Sequence, residues 1–209
     1  MIGRIVETPE DVAEGCAFLA SIEPRFAEAL NWLAPLPLRR KPDGFAELLS
    51  IIISQQVSVA SAQAVWSRVE ALGVVDADLI LRCSDEDLRG CGLSRQKIRY
   101  AREIAESGID FAALRGMSDD DLIARLVEVK GVGVWTAEIY AMFSLGRADV
   151  FAPGDLALRD AAHKLLGLEA RPSEPELRAL SLRWSPWRSV AARLLWEYYL
   201  TANRREGVR

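Results

Sequence analysis

Apolar residues recur every three to four positions along most of this chain, and no stretch alternates convincingly with period two. The first spacing buries one stripe of a helix, whereas the second would bury one face of a strand. The pattern predicts helices over 9–20, 25–33, 44–55, 58–72, 76–82, 85–90, 94–107, 119–128, 133–145, 154–166, 174–183 and 186–203. Only Ile51–Ile53 strings β-favouring residues together, and inside "SIIISQQVS" they read as a buried helix. Helix-start chemistry recurs at the expected places. Thr8, Pro9 and Asp11 form a cap, a first-turn proline and a carboxylate three residues on. "SDED" (84–87) and "SDDD" (118–121) repeat the Ser-x-x-acid form, so both acidic runs read as helix starts and not as metal sites.

The polar breaks organise the helices. "LAPLPLRRKPDG" (33–44) holds three prolines and a glycine, which makes it a connector and a candidate boundary between lobes. "SDEDLRGCGLSRQKIRYAREIA" and "SDDDLIARLVEVKGVGVWTAEIYAM" both run capped helix, glycine turn, second helix. They read as two helix-hairpin-helix units in succession.

Composition narrows the classes. At 209 residues, half of them apolar, the chain can bury a core as one domain or two small lobes. Charges break every apolar stretch short of a membrane span. "MIGRIVETPEDVAEG" lacks the apolar core of a secretory signal, so a cytoplasmic protein is expected, nucleoid-associated in a bacterium. Cys16, Cys83 and Cys91 fit a reducing compartment, and they make no CxxC pair. One histidine, His163, is too few for a His-rich metal site, so no metal is expected. Net charge is −4, which is mildly unfavourable for nucleic acid. Bases nevertheless gather at 94–102 and between Arg178 and Arg209, which leaves room for a basic face.

The second glycine turn carries the chemistry. Gly131 and Gly133 precede "VWTAEIYAMF". A dinucleotide loop would need a third glycine where Thr136 stands and a strand where a capped helix stands. The better physical reading is a turn that brings main-chain N–H groups close to a bulky anion, with the next helix N-terminus aimed at it. A DNA phosphate satisfies that without any basic side chain.

These residues, "VKGVGVWTAEIYAMFSLGRADVFAPGDLALRDA", resemble the signature of the helix-hairpin-helix (HhH-GPD) DNA glycosylases. The resemblance extends through "LLSIIISQQVSVASAQAVWSRV" (48–69), "GLSRQKIRYAREIA" (92–105) and "RWSPWRSVAARLLWEYY" (183–199), and is greatest to the compact 3-methyladenine DNA glycosylase II group. It implies an all-α, two-lobed fold with a DNA-binding cleft between lobes. One lobe would comprise 1–43 plus 151–209, and the other the 44–150 bundle that carries the hairpin. It implies a monofunctional, monomeric glycosylase that excises alkylated bases, 3-methyladenine and 7-methylpurines, from duplex DNA. A glycosylase for deaminated or oxidised bases is one alternative. A non-enzymatic damage-binding module is another.

Each site residue has a plain reading beside the implied one. Asp155 in "APGD" is what a helix N-cap needs, and spacing alone favours that. The resemblance places it on the catalytic aspartate, able to stabilise an oxocarbenium-like sugar. No cofactor is then required, and a monovalent cation on the hairpin carbonyls is the one ion left open. Trp135 stands where bifunctional relatives carry a lysine nucleophile, so no strand cleavage is expected. Trp135 and Trp196 fall on pocket aromatics, where cation–π attraction to a flipped methylated base contributes about 0.5–2 kcal/mol. Ile139 replaces a pocket tyrosine, and Tyr140, about 100° round the helix, cannot substitute. Gln56 falls on the side chain that wedges into the gap left by the flipped base. Gly131, Gly133, Val134 and Thr136 would hold the DNA backbone. Arg95 and Lys97 are candidate phosphate contacts, with Arg99 and Arg102 on the same helix. Lys130 is expected to face solvent or phosphate. His163 is expected at the surface or in packing, and Trp32, Trp66, Trp184 and Trp187 in core or lobe contacts and not in base stacking.

Overall fold

The computed structural model describes residues 3–73 and 75–207, the stretch 203–207 as backbone only. It is all-helical among these residues, apart from one isolated antiparallel bridge between Ile5 and Arg147. The helices are α1 (Pro9–Ile22), α2 (Pro24–Leu30), α3 (Phe45–Ser54), α4 (Val59–Ala71), α5 (Ala77–Arg82), α6 (Asp85–Gly90) and α7 (Arg95–Glu106). There follow α8 (Phe111–Leu114), α9 (Asp119–Val127), α10 (Val134–Phe143), α11 (Leu156–Leu166), α12 (Glu174–Ser181) and α13 (Arg188–Gly207). The pattern of apolar positions does not predict α8. Four residues are too few to show a period, and only the Asp110 side chain, which accepts from the Ala113 N–H, marks its start. The run expected at 174–183 leaves α-geometry after Ser181 and closes in a 3₁₀ turn, Leu182–Trp184.

Local hydrogen bonds explain most starts. Thr8 and Asp11 form a reciprocal capping box on α1. Ser84 and Ser118 accept from the Asp87 and Asp121 N–H groups, so both acidic runs do open helices. Such caps contribute about 1 kcal/mol each.

The chain divides into two compact units, 41–145 and 3–40 with 146 onward. The expected boundary at 150/151 lies later than the one observed. Residues 146–148 belong with the N-terminal segment, because Val6 N–H donates to the Gly146 carbonyl and Ala148 N–H to that of Arg4. In the 41–145 unit Leu49, Ile53, Val69, Ile80, Leu88 and Ile98 form one core, and the Ile51–Ile53 run lies buried in α3. In the other unit α13 packs on α11 and α1. There the Gly15 Cα sits so close to Val190 and Trp187 that a Cβ would lie 2.7 and 2.8 Å from their side chains. Trp184 and Trp187 are buried there, as expected.

The described arginines of the basic stretch toward the C-terminus are tied inside their own unit, and the side chains of Arg204, Arg205 and Arg209 lie outside the described residues. Arg183 pairs with Glu23, and Arg188 with Asp149 at 2.8 Å. Arg193 is fully buried and donates to the Leu38 and Ser189 carbonyls. Burial and then the nearby Arg39 and Arg40 charges lower its pKa to about 10. This part of the expected basic face is therefore a set of internal ties.

Candidate active site and hairpin

The hairpin is built from α9, a glycine turn and α10. Val132 N–H donates to the Val129 carbonyl at 3.0 Å and closes the turn. Gly131 sits at φ 97°, in the left-handed region, against the ring of Tyr100 from α7. A Cβ at Gly131 would lie 2.3 Å from Tyr100 Cγ, so only glycine fits. Gly133 is the N-cap of α10 and supplies no side chain to its first amides. Nothing stands within 4 Å of where its Cβ would be. The positive end of a ten-residue helix is therefore presented with no side-chain oxygen of its own upon it.

α10 then sorts its side chains. Val134 is exposed. Trp135 and Ile139, four apart, share a half-buried side. Tyr140 turns the other way, fully buried, and its hydroxyl accepts the Gly44 N–H at 2.7 Å. Burial pushes its pKa well up. Tyr140 thus serves the core and does not stand in for a pocket tyrosine at 139. Thr136, expected against the DNA backbone, is buried, and its hydroxyl accepts from Gln55 Nε2 at 2.9 Å. Its side chain points into the unit, which leaves only its main-chain N–H for a phosphate.

Gln56 follows the end of α3. It is exposed and adopts φ 57°, an unusual value for a residue with a side chain. Holding it there costs about 1 kcal/mol. Lys97 Nζ donates to the Ile53 carbonyl at 2.6 Å, in the last turn of α3, and burial lowers its pKa. A shallow cavity of about 250 Å³ is lined by Gln55, Gln56, Val57, Ser94, Gln96 and Lys97, among others.

The remaining cations separate by role. Arg95 and Arg99 are exposed on α7. Arg102 is tied to the Ile80 and Cys83 carbonyls and to Asp85. Lys130 is largely exposed but paired with Glu103 at 2.9 Å. His163 is half-buried in the last turns of α11.

In the other unit Asp155 is the N-cap of α11. Its Oδ1 accepts from the Ala157 and Leu158 N–H groups at 2.9 and 3.1 Å. The half-buried Trp196, forty-one residues on in α13, directs its indole Nε1–H at the same oxygen from 3.3 Å. Three donors converging on one oxygen fix the rotation of the carboxyl group. Its second oxygen is then held in a set direction, which a plain cap does not require. The sequence carries no signal for this indole donor, because its partner lies forty-one residues away, and the resemblance implies only a pocket wall at Trp196. Among the described residues no group of three or more His, Cys, Asp or Glu could hold a metal ion. No described helix is long and apolar enough to cross a membrane.

Comparison with known proteins bears on these parts together. The family model of the HhH-GPD superfamily base excision DNA repair protein matches residues 49–186. The DNA-3-methyladenine glycosylase 1 of Schizosaccharomyces pombe is 32% identical over 178 residues, 81% of this chain and 78% of that protein. A DNA-3-methyladenine glycosidase from Bacillus halodurans has a similar solved structure, with 33% identity, a TM-score of 0.78 and coverage of 98% of this chain and 95% of that one. The S. pombe 3-methyladenine DNA glycosylase Mag1, solved in complex with abasic DNA, has a TM-score of 0.79 at 27% identity and covers 88% of this chain and 95% of its own.

Proposed function

The chain belongs to the HhH-GPD superfamily of base excision DNA repair proteins, and from that premise we propose that it is a DNA glycosylase releasing alkylated bases, 3-methyladenine and 7-methylpurines, from duplex DNA. The observation that carries the reading is Asp155, held in one rotation by two main-chain N–H groups and the Trp196 indole.

A base inside a duplex is out of reach, so the target nucleotide rotates out of the stack, and Gln56 fills the gap. The open amides at Gly133 and Val134 grip a phosphate. Methylation leaves the flipped base positively charged, and the Trp196 indole beside Asp155 offers it an aromatic face. The C1′–N bond then breaks, and its electron pair leaves with the base. A cationic methylpurine departs neutral, so no general acid is needed. The sugar becomes an oxocarbenium ion, which the Asp155 carboxylate stabilises. Water adds to C1′ and gives up a proton toward the carboxylate. The products are the free base, an abasic site bearing a C1′ hydroxyl, and a proton.

No cofactor enters these steps. The hairpin carbonyls around Val129 could hold a monovalent cation beside the phosphate, but no step runs through it. With Trp135 at the hairpin position and Lys130 engaged by Glu103, no amine is offered to the sugar, so base release proceeds without strand cleavage.

Single-turnover base release from methylated duplex tests the reading. The native chain should liberate 3-methyladenine, leave strands intact before alkali, and slow by about a hundredfold or more as Asp155→Asn. No release from either protein, with DNA binding retained, would instead assign the chain as a damage-binding module. Ile139 on the pocket side of α10 favours one second reading, a preference for deaminated or oxidised bases. Faster release of hypoxanthine than of 3-methyladenine would establish it.

A further inference from the structure

The phosphate-gripping turn and the wedge are joined by one side-chain hydrogen bond. Thr136 stands in the first turn of α10, the turn whose amides open toward the anion. Its buried hydroxyl faces inward to Gln55 Nε2 at 2.9 Å, across eighty-one residues of sequence. Gln55 is the C-cap of α3 and the residue directly before Gln56. Gln56 is held at φ 57°, a value its own side chain does not favour, so its neighbours must impose it. Behind it Lys97 Nζ ties the Ile53 carbonyl at 2.6 Å. All five residues lie in the 41–145 unit.

We propose that Gln55 is a positioning residue, which through Thr136 sets the Gln56 wedge at a fixed offset from the phosphate grip and so couples DNA binding to base flipping. The inference rests on the wedge and hairpin roles given above. Gln55 itself is half-buried and occupied by Thr136, so it need not touch the base. If phosphate binding and wedge insertion are rigidly linked, seating the hairpin drives Gln56 into the stack. If the link is cut, the hairpin can still seat while the wedge lags.

The test uses the full chain, with Gln55→Ala and Thr136→Val cutting the same bond from opposite ends. Three quantities are measured: affinity for undamaged duplex, flipping reported by 2-aminopurine beside the lesion, and single-turnover base release. Each lesion is placed either in a normal pair or opposite a one-nucleotide gap, where no stack must be invaded. Gln55→Ala should keep duplex affinity within about twofold, and Thr136→Val, which lies in the phosphate-binding turn, is compared with it only in the ratio of paired to gapped release. On the paired lesion, flipping and release should fall about five- to tenfold, the factor that one net hydrogen bond carries. Opposite the gap, release should return to the native rate. Two variants that cut the bond differently guard against one simply misfolding.

Equal losses on paired and gapped lesions would overturn the proposal, because that is what a purely structural role produces. So would no loss on either. Gln56→Ala separates this failure from that of the wedge reading. If it loses flipping on the paired lesion while Gln55→Ala and Thr136→Val do not, only the coupling is wrong. If it loses nothing, the wedge reading falls and the coupling with it.

Discussion

The two helix-turn-helix segments of the 41–145 unit are built from nearly the same parts. In the first, Ser84 caps α6, Gly92 turns the chain at φ 96°, buried Leu93 follows, and Ser94 caps α7. In the second, Ser118 caps α9, Gly131 turns at φ 97°, buried Val132 follows, and Gly133 stands where Ser94 stood. The backbone paths are alike, and the N-cap differs. Ser94 Oγ accepts the Lys97 N–H, so the first segment satisfies part of its own helix start. Gly133 has no side chain to offer, and on the function proposed above a DNA phosphate takes that place in the second. One hydroxyl thus separates a turn capped by its own side chain from one whose first amides have no side-chain cap.

The largest effect should come from the turning glycines. A Cβ at Gly131 meets the Tyr100 ring at 2.3 Å, and that ring is held by the Gln96 bond to its hydroxyl. At Gly92 the nearest atom, at 2.7 Å, is the end of the Arg68 guanidinium, whose Nε donates to the Cys91 carbonyl at 2.7 Å, so relieving the clash costs at most that one bond. Both positions pay for positive φ, but only the first also pays for a fixed obstacle. Gly131→Ala should lower unfolding free energy by about 3 kcal/mol or more, and Gly92→Ala by about 1–2 kcal/mol. Urea denaturation measures both, and equal losses would contradict the view that Tyr100 backs the second turn rigidly.

Exchanging the caps should move binding and stability in opposite directions. Gly133 has φ −86° and ψ 170°, which any residue adopts, and space for a Cβ. Gly133→Asp should gain a few tenths of a kcal/mol in stability, because glycine is already a tolerable cap. It should also weaken duplex binding by about tenfold or more, since its carboxylate takes the amides and repels the phosphate. Unchanged affinity in a fluorescence-anisotropy titration would show that these amides do not meet DNA. In the first segment, Ser94→Ala should cost about 1 kcal/mol of stability and leave affinity within about twofold.

How much was legible beforehand follows from where each partner lies in the chain. Caps were readable because Ser84 and Ser118 bond three residues away. The glycine turn was readable because its demand on φ is local. Asp155 was readable as a cap, but not its tie to Trp196, forty-one residues distant. Charge misled for the same reason. The arginines near the C-terminus suggested a face for DNA, yet Arg183 reaches Glu23, Arg188 reaches Asp149 and Arg193 reaches the Leu38 carbonyl. Arg102 likewise bonds carbonyls on either side of Cys83. Counting charges cannot reveal partners that only tertiary folding brings near.

The smallest expected effect sharpens the comparison most. If the first turn has satisfied its own helix start, any help it gives to binding must come from side-chain charge, and Arg95 and Arg99 are exposed cations on its second helix, α7. A charge contact and an amide contact differ in salt dependence. Each phosphate neutralised by an arginine releases counterions and adds about 0.9 to the slope of log affinity against log salt. Arg95→Ala should therefore weaken binding only about two- to threefold at physiological salt and flatten the slope by about 0.9. Gly133→Asp, which blocks amides without removing a lysine or arginine, should lose more affinity while the contact through Arg95 persists. An Arg95→Ala slope equal to the native one would mean that the first segment contributes no phosphate contact through this residue. Binding would then rest on the glycine-capped turn and whatever other cations reach the backbone.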